Sequence, residues 1–150
     1  MIHVPKRQWM GCAVATAAML ADRSYEEVAA HWPQLSEARM RKPGELCALL
    51  EAVTDVEWQF SPCWHPQPHL YQFTVPPWPV AVFAQDAELH PRFSLWIVLN
   101  DAIVHDPAER AAYSMIDYPR REWVVSCVVQ PCRPDEFTRG RARRWFMPSP

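Results

Sequence analysis

Cys12 has the clearest chemical potential in this chain. A polar-aromatic run, Lys6-Arg7-Gln8-Trp9, and then Gly11 give way to a helical pattern of small residues, Ala13-Val14-Ala15-Thr16-Ala17-Ala18-Met19-Leu20. A thiol at a helix N-terminus meets the positive end of the macrodipole and backbone N–H groups with no partner inside the helix. That setting favours the thiolate, the nucleophilic form, and the same N–H groups can hold an oxyanion. The ordinary alternative is a small buried packing residue, the fate of most free cysteines. Cys63-x-His65-x-x-x-His69 has the residue types of a metal site. No second pair completes a zinc spacing, so neither metal nor cofactor is expected.

The elements that must position Cys12 follow from the pattern around it. One helix is expected over 12–22. Ser24-x-x-Glu27 is a capping box for a second, to about His31, with Val28 and Trp32 on one face and Pro33 ending it. A third starts at Pro43 and runs to about Val53, its stripe being Leu46, Leu49, Leu50 and Val53, with Cys47 as a packing residue beside it. Strand-like runs follow at 56–60, 80–83, 95–99, 102–105 and 123–129, and Asn100-Asp101 reads as a two-residue hairpin link. The Pro-rich stretch 61–78 reads as an extended surface loop. Helices first and strands after them indicate an α+β domain over 1–132. Residues 133–150, with Arg133, Arg139, Arg141, Arg143 and Arg144, read as a solvated basic tail that is dispensable for folding.

Composition narrows the function classes. The chain has 150 residues, of which 49% are apolar, enough for one packed domain and too many for a disordered chain. With 16 Pro and 3 Gly its loops are stiff, and most of its 8 Trp should be buried. A net charge of −2 gives no global field for nucleic acid, leaving the basic tail as the single local feature of that kind. No run is apolar and long enough to span a membrane, and residues 1–6 lack the apolar core of a signal peptide. Five Cys without regular spacing fit a reduced, cytoplasmic protein.

Three stretches, Cys12-Ala13-Val14-Ala15, Ala18-Met19-Leu20 and Ser24-Tyr25-Glu26-Glu27-Val28, together resemble the nucleophile helix and following helix of papain-like cysteine peptidases. The branch they are most similar to holds the bacteriocin-leader peptidases and many small bacterial and phage proteins. Leu95-Trp96-Ile97-Val98-Leu99, and then Val104-His105-Asp106-Pro107, resemble that family's His-bearing strand and the next one. The matches span most of 4–107 in the family's order. The resemblance implies a papain-like α+β fold, with N-terminal helices packed on an antiparallel sheet. It also implies a nucleophile at Cys12 and a His-orienting acid at Asp106.

Departures from the pattern set the functional expectation. Leu95 stands where the catalytic His would be, with its side chain expected toward Cys12 and Asp106 across a groove. Ala13 replaces the usual Gly. Lys6 takes the place of the oxyanion Gln, while Gln8 lies only four residues before Cys12. The remaining candidate base is His90, in the loop before Leu95. His65 and His69 are less constrained, and His105 should point away from Asp106 on the strand. A Cys without a base loses its main activator. The expected function is therefore a degenerate peptidase that binds and modulates a protein or peptide partner, in the manner of a phage protein acting on a host target. Leu95, Trp9 and Trp96 would supply apolar contacts. The alternative is an active cysteine peptidase or acyl transferase that pairs Cys12 with a relocated His.

Overall fold

The computed structural model describes residues 1–7, 11–32, 42–88 and 93–146, with side chains through Arg141. Its elements in chain order are α1 (Cys12–Ala21), α2 (Tyr25–Ala30), α3 (Pro43–Thr54), β1 (Trp58–Pro62), β2 (Val80–Gln85), β3 (Ser94–Asn100), β4 (Ile103–His105), β5 (Tyr113–Ser114), β6 (Val124–Pro131) and α4 (Pro134–Phe146). The strands form one antiparallel sheet in the order β1-β6-β2-β3-β4-β5. This is the α+β class expected from helices followed by strands.

α1 is buried along its whole length from Ala13 to Ala21. Its small side chains let α2, α3 and β3 pack against it from different sides, so it needs no solvent-facing stripe. Asp22 ends it in the left-handed conformation that Asp tolerates. The Ser24–Glu27 capping box then starts α2: Glu27 N–H donates to Ser24 Oγ at 3.2 Å, and Ser24 N–H donates to Glu27 Oε2 at 2.7 Å. α3 opens on Pro43 and buries Leu46, Leu49, Leu50 and Val53, as its spacing dictates. At its end Thr54 donates to Leu50 O at 2.6 Å and receives the Trp58 indole N–H at 2.9 Å, which ties α3 to β1.

Register assigns the two faces of the sheet. Phe83 pairs with Trp96 and Ala81 with Val98, and these face the helices. Val80 with Leu99, Val82 with Ile97, and Ala84 with Leu95 face the other way. That second face is covered by irregular chain. Leu70, Phe73, Val75 and Trp78 come from the Pro-rich stretch, and Tyr113, Met115, Tyr118 and Trp123 from the segment after β4. The stretch 61–78 does run over the surface, and it also anchors itself there by burying Leu70 and part of Cys63, Phe73, Val75 and Trp78 against the sheet. It is pinned to β6 where Val125 N–H donates to Pro68 O at 2.9 Å and Leu70 N–H donates to Trp123 O at 2.8 Å.

Two boundaries shift against expectation. The β3–β4 hairpin turns at Asp101-Ala102, one residue later than expected, because Asn100 still pairs with Ile103. Asp101 takes the positive φ of 56° that the tight turn requires. The second shift is larger. Residues 134–146 form a helix, and Phe137 is buried in the helix-side core, 5.1 Å from the Trp58 ring in an edge-on contact. Arg141 is buried too. It donates to Leu20 O and to Asp22 Oδ1, each at 2.8 Å, so α4 supplies the C-terminal cap of α1. The described part of the segment expected to be a loose tail, residues 133–146, thus belongs to the domain, and the remainder lies outside the described residues.

Candidate functional site

Cys12 is the first residue of α1 and is half-buried, with its side chain against the helix-side core. Gly11 precedes it and offers no side chain to cap the first turn, and no acidic residue lies in that turn. The first-turn N–H groups thus lack a side-chain acceptor of the usual kind. Thr16, one turn on, donates to Trp96 O at 3.3 Å. The carbonyl of Leu20 meets Arg141, beyond the end of β6 that lies level with Leu99. α1 therefore runs from the start of β3 toward its end, and Cys12 lies toward the end where β3 begins.

Tyr25 borders this site, and sequence reasoning passed over it. It is 5% exposed, and its hydroxyl has no hydrogen-bond partner among the described residues. Burial, and next the charge of Cys12, push its phenol upward, so the hydroxyl keeps its proton and stays a donor. Its position after the Ser24 cap was legible; its burial beside Cys12 was not. Arg7 and Glu26, paired at 3.0 Å, lie on the exposed rim.

The partners expected for Cys12 are placed elsewhere or lie outside the described residues. Leu95 pairs with Ala84 and packs into the far core, on the face of the sheet away from α1. The expectation that it faces Cys12 is corrected. β3 is buried on both faces, and its register turns the even-numbered side chains, Trp96 and Val98, to the helices. Trp96 is wholly buried in that core and is a packing residue rather than a binding surface. Gln8, Trp9 and His90 lie outside the described residues.

Asp106 also faces away from α1, which corrects its placement across a groove from Cys12. It is completely buried. Oδ1 accepts the Ala108 N–H at 2.7 Å; Oδ2 accepts the Tyr118 hydroxyl at 2.8 Å and the Arg120 guanidinium at 2.7 Å. Arg120 also holds Glu109 at 2.7 Å. Burial, followed by the Asp106 charge, pushes the Tyr118 phenol up, so it too remains a donor. The carboxylate folds the chain after β4 over the far core, and both of its oxygens are engaged there. His105 pairs with Val98 and so faces the helix side, diverging from Asp106 as alternation requires.

The other polar candidates are accounted for locally. His69 Nδ1 bonds the Glu122 carbonyl, and its ring stacks on Tyr71. Cys63 packs on the far core, and burial pushes its thiol up. Burial likewise pushes Cys47 up to about 11 and Cys127 to about 12, so both are protonated packing residues near neutrality. Among the described residues no group of three His, Cys, Asp or Glu could hold a metal ion, and no helix is long and apolar enough to cross a membrane.

No protein-family model matches the sequence, and no curated protein matches it either.

Proposed function

We propose that this chain is a papain-like α+β protein that has lost its Cys–His dyad and acts by binding a protein or peptide partner at the Cys12 end of α1. The observation that carries the reading is the commitment of Asp106. A carboxylate whose oxygens already accept Ala108, Tyr118 and Arg120, on the far face from α1, cannot orient a base for Cys12. Leu95, aligned with the family's His, packs into that same far core. What Cys12 keeps is the geometry of a receptor. It has a helix N-terminus without a side-chain cap, a half-buried thiol and a buried Tyr25 hydroxyl still able to donate. Such donors suit a partner's carbonyl or carboxylate oxygen.

An epoxysuccinyl peptide tests this reading, because papain-like sites open the epoxide with a thiolate that an imidazolium accompanies. Cys12 should be alkylated no faster than the exposed Cys132 of the same chain, to within about tenfold. General acid–base assistance is worth about 100-fold or more, and a preference of that size for Cys12 would establish a working dyad instead.

A further inference from the structure

Two histidines far apart in the sequence meet at the end of β4. His105 is the last residue of that strand and is 5% exposed, while His3 lies in the amino-terminal segment and is half-buried. Their ring centroids are 5.9 Å apart, with the planes 22° from parallel. Both rings are held by the fold. On the His3 side, Lys6 N–H donates to Pro107 O at 2.8 Å, Arg7 pairs with Glu26 at 3.0 Å, and Met1 and Val4 pack on the helix-side core. On the other side, the ladder between β3 and β4 fixes His105 opposite Val98.

Each ring carries a buried nitrogen that is left unsatisfied. His3 Nε2 donates to Glu109 O at 3.1 Å, so the proton of that neutral ring sits there and Nδ1 is a bare acceptor. Burial above all holds the His105 imidazole down to about 4, against an ordinary 6.5, so it too is neutral near pH 7 and has one free lone pair. His3 Nδ1 and His105 Nδ1 are both buried without a hydrogen-bond partner among the described residues. Such atoms are uncommon in a folded protein, and two on facing rings point to a shared occupant. A ring N–H given to a backbone carbonyl, as His3 gives its own to Glu109, is also the usual way in which a metal-bound imidazole is oriented.

The surroundings select the ion. Two rings that each place a nitrogen about 2 Å from one ion, on opposite sides of it, have their centres about 6 Å apart. The separation of His3 and His105 matches that spacing. Two side chains are too few for zinc, which takes four ligands. The carboxylates that would serve a hard ion are committed, Asp106 and Glu109 to Arg120 and Asp22 to Arg141. The Met1 amino group and Arg141 bear on His105 with positive charge, so a singly charged ion is easier to bury there than a doubly charged one. Cuprous copper is singly charged, binds imidazole and is content with two ligands. We propose that His3 and His105 hold one cuprous ion between their Nδ1 atoms. This site is separate from Cys12 and stands independently of the binding reading.

The full chain is titrated without oxygen with cuprous ion supplied as its acetonitrile complex. Its reactive thiols are first capped with iodoacetamide, because thiolates compete for this ion. The ring-nitrogen NMR signals of the histidines are followed, and copper retention is measured against bathocuproine disulfonate. The Nδ1 signals of His3 and His105 should shift together and stop at one equivalent, while those of His31, His65, His69 and His90 stay in place. His3→Phe and His105→Phe should each weaken retention by about 100-fold or more, since even the partners that support a metal ligand are worth about 10–100-fold. No shift at the two rings overturns the site, as does a shift of other histidines in their place. Retention unchanged in a folded His105→Phe or His105→Gln chain overturns it too and makes the copper an adventitious ion only. The native titration decides the matter even where neither His105 variant folds.

Discussion

Tyr118 donates its hydroxyl to Asp106 Oδ2 at 2.8 Å, and that bond joins the far layer of the protein to the end of β4. The acid that looked chemical in the sequence is the anchor of a fold-determining turn. Removing a buried charge's partners, or the charge itself, leaves the remainder uncompensated. Asp106→Ala should cost about 3–5 kcal/mol and Tyr118→Phe about 1–3 kcal/mol. Urea unfolding measures both. A loss below about 1 kcal/mol for Asp106→Ala would mean the network does not hold the layer.

α4 is expected to be integral to stability. Phe137 is 1% exposed and sits edge-on to Trp58. Phe137→Ala should cost about 3–5 kcal/mol. Ending the chain after Cys132 should lower the melting temperature by many degrees, since it also removes the Arg141 cap from Leu20. A truncated chain that melts with the full-length one would restore the loose-tail reading.

His105 makes stability pH-dependent in a stated direction. Its folded value, about 4, lies below the ordinary 6.5, so the unfolded chain binds the extra proton between them. The stabilisation is present above about 6.5 and is lost as pH falls toward 4, amounting to about 3 kcal/mol across the window. Urea midpoints at a series of pH values should show this slope in the native chain and a shallower one in His105→Phe. Equal slopes would mean that His105 is solvated in the folded state.

Leu95→His should not activate Cys12. The new imidazole would enter the far core beside Ala84, with the sheet between it and the thiol. Alkylation of Cys12 near neutrality should stay within about twofold of native, while the fold loses about 1–3 kcal/mol from a polar group among apolar neighbours. A large rise in Cys12 reactivity would show that β3 carries the opposite facing.

The parts of the fold legible in the sequence were those with local signals. α1 followed from its small-residue run, α2 from the Ser24–Glu27 box, and α3 from Pro43 and the Leu46–Val53 stripe. What escaped was set by contacts distant in the chain. In β3 both faces are buried, so Leu95 to Leu99 read as one apolar run with no sign of which side met the helices. Phe137 and Arg141 sit in a run dominated by charged residues, where no apolar stripe of helical spacing marks an inner face, and their partners Trp58 and Leu20 are far away in sequence. Asp106 bore the look of a catalytic acid through the resemblance of Val104-His105-Asp106-Pro107 to the strand end of papain-like peptidases. Its true partners, Tyr118 and Arg120, lie beyond an irregular segment. Of the site itself, only the placement of Cys12 at a helix start was readable; Tyr25 was seen as part of a motif and not as a buried donor.

The central claim, that Cys12 works without a histidine partner, is tested most directly by one rate ratio. Cys12 and Cys132 are alkylated with iodoacetamide at about neutral pH, in the native chain and in His90→Ala, and the two modified peptides are quantified by mass. The Cys12-to-Cys132 ratio should be the same in both chains within about twofold. A working Cys–His pair contributes about 100-fold or more, so a collapse of the ratio in His90→Ala would contradict the account and make the protein a cysteine-dependent enzyme.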